Sequence, residues 1–159
     1  MLAYMSEKAH GKVKRILAGF LIVVAAAVIA FLAYTGDYYH ADAAVEAALV
    51  SGDAVEVEKQ DGMLVFKPED AAAAGFIFYP GGKVEYTAYV PLMHELAERG
   101  VQCVLVEMPF NLAVLDIHAA DGIAEQYSDI ERWYIGGHSL GGSMAAGYAA
   151  ERHIVPFHE

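Results

Sequence analysis

A chain of 159 residues suffices for one domain of ordinary size, and its 57% hydrophobic content mixes an apolar run near the N-terminus with a glycine- and alanine-rich remainder. Residues 1–15 carry a net +3 (Lys8, Lys12, Lys14 and Arg15 against Glu7), while the rest carries 6 basic against 20 acidic residues, a net −14. That acidic body repels phosphate backbones and argues against nucleic acid as a partner; the single cysteine, Cys103, allows neither an intrachain disulfide nor a thiolate metal site.

Ile16–Tyr34 is a run of 19 residues without a charge. As a helix it would span about 28 Å, close to the hydrocarbon thickness of a bilayer. Lys12, Lys14 and Arg15 precede it and Asp37 follows it. The positive-inside rule then makes residues 1–15 a cytoplasmic tail and residues 16–34 a transmembrane anchor, with the globular part of 35–159 extracytoplasmic at the cell membrane. A cleaved signal peptide competes with this reading. Its apolar core would be shorter, the residues directly after the run, Thr35–Tyr39, offer no convincing cleavage site, and Ala41-Asp42-Ala43, which fits the small-x-small pattern, lies well past it. A buried soluble helix would have to be apolar all round beside a basic tail. The uncleaved anchor is the favoured reading.

Between Asp37 and Gly52 the alanines predict a short helix ending near Ser51-Gly52. Val55, Val57 and Lys59 alternate with Glu56 and Glu58, the period of a strand. Asp61-Gly62 signals a hairpin, with Met63–Phe66 as its return and Pro68-Glu69-Asp70 closing it. Gly75–Tyr79 is a short continuous apolar run, as expected of a strand buried on both faces. Pro80-Gly81-Gly82 breaks it. A helix follows with Pro91 in its first turn, Leu92, Met93 and Leu96 inward, and Gly100 as its stop. Val101–Val106 is the next buried strand and holds Cys103 as a small core residue. Leu112 to about Tyr127 reads as largely helical, Trp133–Ile135 as a third buried strand, and Gly142 to about Arg152 as a helix of small residues.

A hairpin followed by alternating strands and helices implies the α/β class, a mainly parallel sheet with helices on both faces. Sites in such sheets form at the C-terminal ends of strands. Three loops qualify: Pro80–Lys83, Met108–Asn111 and Gly137–Gly141.

The last of these reads Gly137-His138-Ser139-Leu140-Gly141, with a buried strand before it and a helix after it. In a Gly-x-Ser-x-Gly turn the serine sits at a sharp strand-to-helix reversal that holds its Oγ clear of the sheet. Side chains at −2 and +2 would collide across the turn. Ser139 is therefore the candidate nucleophile. The free amides at the start of the following helix suit an oxyanion, so Leu140 N–H is one candidate donor. A second is expected from the loop after an earlier strand, at Gly82 or Lys83, with Gly82 preferred. The bland reading, a glycine-rich turn with a structural serine, is the weaker one. Phosphate-binding spacings are absent, and no metal or organic cofactor is implied.

Phe78-Tyr79-Pro80-Gly81-Gly82, Val104–Pro109 and Gly136–Gly142 together resemble the α/β-hydrolase superfamily, and look most like its compact bacterial fold-5 group. The resemblance covers Gly75 to Ala150. It implies a serine hydrolase acting on small-molecule esters or related acyl compounds.

In that superfamily the nucleophile is followed along the chain by an acid and then a histidine. After Ser139 come only Glu151, His153, His158 and Glu159. His153 would lie about 20 Å along the helix from Ser139. His138 is expected to pack or hydrogen-bond locally, His94 to sit on a helix, and His118 is a remote candidate for a substitute base. Ile154–Phe157 is short and interrupted by Pro156, so Trp133–Gly137 is expected to form an apolar sheet edge. The expectation is thus a partial α/β-hydrolase domain in a C-terminally truncated chain, weakly active or inactive. The alternative is a non-catalytic, membrane-tethered binding module on the same fold.

Overall fold

The computed structural model describes residues 2–42 and 44–152, and the chain divides after Asp37 into two compact units. The first unit is one helix, α1 (Leu2–Gly36). Its stretch Gly11–Gly36 is long and apolar enough to cross a membrane, and the apolar side chains from Val13 to Tyr34 are exposed. The basic residues 12–15 continue the same helix, since lysine and arginine are good helix formers.

The second unit opens with the short helix α2 (Ala44–Ala48). The hairpin of β1 (Val55–Gln60) and β2 (Met63–Pro68) follows in the register Gln60↔Met63 to Val55↔Pro68. Gly62 turns it at φ 71°, a conformation that favours glycine. Then come β3 (Ala74–Tyr79), α3 (Val90–Glu98), β4 (Val101–Val106), α4 (Ile123–Gln126), β5 (Trp133–Gly137) and α5 (Leu140–Glu151). The sheet order is β1-β2-β4-β3-β5. β2 pairs antiparallel with both β1 and β4, whereas β3 pairs parallel with β4 and β5. The sheet is therefore mixed, with β2 alone running against the other four strands.

Alternation along the strands divides the core between two faces. Val65, Ile77, Tyr79, Val104 and Val106 pack with Ile123 of α4 and with Ala145 and Tyr148 of α5. Leu64, Phe66, Phe78, Cys103 and Leu105 pack on the other face with Val45 of α2 and with Val90, Met93 and Ala97 of α3. Helices thus cover both faces, as the patterning predicts. β5 lies at the edge of the sheet. Its Trp133 ring stacks so closely over Gly75 that any Cβ there would collide with it.

Two expectations are corrected. Leu92 does not point inward: it is exposed, and the buried stripe of α3 is Val90, Met93 and Ala97. The predicted helix over 112–127 is broken into a 3₁₀ turn at Ala113–Leu115 and the four-residue α4. Its cause is a tertiary hydrogen bond. The buried Tyr79 hydroxyl accepts from Ala120 N–H at 2.9 Å and donates to Ile117 C=O at 2.8 Å, using backbone groups that a helix would consume. Gly122, at φ 79°, then sets the start of α4. The segment Ile154–Phe157, with His153, His158 and Glu159, lies outside the described residues.

Candidate active site

The three loops singled out by strand order meet at the C-terminal ends of β3, β4 and β5. Lys83 N–H donates to Asn111 C=O at 2.8 Å, joining the first loop to the second. His138 N–H donates to Tyr79 C=O at 3.1 Å, joining the third to the end of β3. Among the described residues the non-glycine positions with positive φ are Lys83 (58°), Phe110 (53°), Asn111 (55°) and Ser139 (50°). All four lie in these loops. Residues held in such conformations cost roughly 1–3 kcal/mol each and persist only where their surroundings over-determine them.

Ser139 sits at φ 50°, ψ −118°, between the last residue of β5 and the first of α5. Its side chain is exposed, and among the described residues none hydrogen-bonds to its Oγ. Its carbonyl accepts from Ser143 N–H at 3.1 Å, so α5 begins immediately after it. The flanking glycines are required by close approach. A Cβ on Gly137 would stand 2.7 Å from the Gly141 carbonyl carbon and 2.8 Å from Gly142 N. A Cβ on Gly141 would collide with the carbonyl oxygens of Tyr79 and Pro80. Part of the steric demand therefore comes from β3, beyond the turn itself.

The predicted oxyanion donors fall on either side of this turn. Leu140 is the first residue of α5, where an N–H has no intrahelical acceptor. Gly82 packs against it: a Cβ on Gly82 would lie 3.0 Å from Leu140 Cδ2. Among the described residues neither amide donates to a backbone carbonyl. The Lys83 amide is engaged by Asn111, whereas the Gly82 amide on the same loop has no backbone acceptor among the described residues.

The histidines are placed apart. The His138 side chain is bonded locally, its Nδ1 2.9 Å from Tyr89 Oη. His94 lies on α3, 3.6 Å from Glu98. His118 contacts Glu151 at 3.7 Å and stacks edge-on against Tyr148. Glu151 ends α5, about 18 Å along the helix from Ser139 at 1.5 Å per residue. His118 is therefore not within reach as a substitute base.

Two features near the site escape sequence reasoning. Tyr39 forms a parallel bridge with Val84: its N–H donates to Lys83 C=O at 2.8 Å and its C=O accepts from Glu85 N–H at 2.9 Å. Glu85 anchors this segment further. Its carboxylate accepts from Thr87 Oγ1 at 2.7 Å and Ala41 N–H at 3.1 Å, and the first of these does most to hold its pKa below the usual carboxylate value. The second feature is Tyr89, whose hydroxyl accepts from Gly81 N–H at 3.1 Å while facing His138. A lone bridge and a tyrosine 50 residues from Ser139 leave no periodic or motif signal.

The profile of the alpha/beta hydrolase family matches residues 75–156, just over half of the chain. No curated protein matches. Among solved structures, a hormone-sensitive lipase from a metagenome library is 21% identical with a TM-score of 0.52, over 72% of this chain and 46% of that one. An esterase of Pyrobaculum calidifontis is 22% identical with a TM-score of 0.51, over 68% of this chain and 44% of that one. A thermostable esterase from Pseudomonas putida ECU1011 is 21% identical with a TM-score of 0.48, over 72% and 44%. The chain thus spans less than half the length of these structures. With its Gly-x-Ser-x-Gly turn, sheet order and family match in agreement, the chain belongs to the alpha/beta hydrolase family.

Proposed function

We propose that this chain carries the nucleophile and oxyanion-binding part of a membrane-anchored serine hydrolase acting on small-molecule esters or related acyl compounds. The observation that carries the reading is Ser139 at φ 50°, ψ −118°, exposed on the turn between β5 and α5. In this reading Ser139 Oγ attacks the acyl carbon and gives its proton to a base. The amides of Leu140 and Gly82 stabilise the tetrahedral oxyanion, the acyl C–O bond breaks as the base returns its proton to the leaving alcohol, and water then hydrolyses the acyl-serine to release the acid and restore the Ser139 hydroxyl. Esterase and lipase are the names of the structural neighbours, which supports the substrate class. Helix α1 supports the anchor, and the basic residues 12–15 ahead of its apolar stretch support a cytoplasmic N-terminus with residues 37–159 on the far side.

Among the described residues no base stands within hydrogen-bond reach of Ser139 Oγ, and a serine without one is a weak nucleophile. The full chain in detergent is therefore expected to react slowly with a fluorophosphonate probe, and to react faster at Ser139 when imidazole is added as an external base. Adduct mapping by mass spectrometry reads the site, with Ser139→Ala as control. Brisk stoichiometric labelling without imidazole would overturn the claim of a missing base. No adduct on Ser139 at any imidazole concentration would overturn the nucleophile reading and favour a non-catalytic binding module.

A further inference from the structure

We propose that Tyr89 is a positioning residue: its hydroxyl couples the loop that carries the Gly82 amide to the turn that carries Ser139, an inference that builds on the functional reading above.

Three segments distant in sequence converge on this one oxygen. Gly81 N–H donates to Tyr89 Oη at 3.1 Å. Tyr89 Oη lies 2.9 Å from Nδ1 of His138, the residue immediately before Ser139. Tyr89 itself leads into α3, and its ring is held against Phe78 of β3 with centroids 4.8 Å apart. The phenol oxygen has one proton and one strong in-plane lone pair. With the lone pair taken by Gly81, the proton points at His138 Nδ1, which makes Nδ1 the acceptor and leaves the ring proton on Nε2. The fit is tight: a Cβ on Gly81 would stand 2.6 Å from His138 Nδ1 and 2.9 Å from Tyr89 Oη.

The position of this bridge gives it leverage. Gly81 precedes Gly82, and His138 is one residue from Ser139 and two from Leu140. The two candidate oxyanion amides thus sit one and two residues from the ends of a single hydroxyl bridge. Oxyanion donors act through their preset distance from the oxygen they stabilise. A link that sets the spacing of the two loops sets that distance without touching substrate.

The test is Tyr89→Phe in the full chain, reconstituted in detergent micelles with ¹⁵N labelling and studied at mildly alkaline pH. The ring and its contact with Phe78 remain, and only the hydroxyl is lost. Wild-type His138 is expected as the Nε2–H tautomer. In the variant, His138 should become a tautomer mixture, and the amide resonances of Gly81, Gly82 and Leu140 should all move. Those of Cys103 and Val104 in β4 should stay put. A wild-type His138 protonated on Nδ1 would overturn the proposal. So would a variant in which Gly81 shifts while Gly82 and Leu140 do not, because the bridge would then be local. Should Tyr89→Phe fail to fold, His138→Ala removes the other end of the bridge at an exposed position, and the same Gly82 and Leu140 shifts decide. Imidazole-assisted labelling of Ser139 should also slow about tenfold in Tyr89→Phe, the scale of a small misplacement of reacting groups. Absent labelling in the wild type alongside intact coupling by NMR would sink the hydrolase reading and leave Tyr89's positioning role standing.

Discussion

The His138 amide donates to the carbonyl oxygen of Tyr79 at 3.1 Å, and this bond clamps the turn before Ser139 onto the end of β3. The same carbonyl occupies space that side chains at Gly137 or Gly141 would need. The turn and the neighbouring strand are thus one packing unit.

Gly141→Ala should destabilise the chain by about 3 kcal/mol or more, because its Cβ meets backbone that has no rotamer with which to yield. Gly147→Ala is the matched control. Gly147 lies on the same helix with nothing within 4 Å of its would-be Cβ, and alanine there should stabilise by roughly 0.5–1 kcal/mol. Thermal unfolding of the two variants in detergent checks both directions. Equal effects would mean that the clash does not set the glycine at 141.

Ser139→Gly should raise stability by about 1–2 kcal/mol, since glycine adopts φ 50° without the Cβ penalty. Ser139→Ala retains the Cβ and should gain nothing. A denaturation midpoint unchanged in Ser139→Gly would show that the turn stores no strain.

Tyr79→Phe leaves the Ala120 amide buried and without its acceptor, at a cost of about 1–3 kcal/mol. The loss should be local. Hydrogen exchange at Ala120 should accelerate strongly while amides in β4 keep their protection.

Burial pushes the Cys103 thiol from its ordinary 9.0 up to about 12. The unfolded chain therefore gives up this proton first, so stability falls as pH rises above about 9 and continues to fall towards 12. Cys103→Ala should remove that contribution to the slope. In the native protein a maleimide should not label Cys103 at neutral pH, and labelling should appear only with unfolding. Fast native labelling would contradict the buried placement.

Several elements were legible because their signals are local. The apolar run 16–34, the Asp61-Gly62 hairpin, the continuous apolar strands at β3 and β4, and the Gly-x-Ser-x-Gly turn each depend on neighbours a few residues away. The inward face of α3 was less legible. Met93 and Leu96 pack on the core as their spacing suggests, but spacing also admits Leu92, and only packing on β2 and β4 selects Val90 and Ala97 in its place. The segment 112–127 failed for a related reason. Its composition permits a helix, but the Tyr79 hydroxyl, 38 and 41 residues upstream, claims the backbone groups of Ile117 and Ala120.

By itself, the sequence determined the membrane-length apolar helix, the α/β alternation, and the position and glycine flanks of Ser139. Each of these is dictated by residue type at short spacing, through hydrophobic period or through the absence of a Cβ. Only the tertiary structure decided that β4 lies between β2 and β3, that Lys83 is tied to Asn111, and that Tyr89 joins Gly81 to His138. Those are pairings of groups far apart in the chain, selected by whichever partner the folded sheet brings within hydrogen-bond distance.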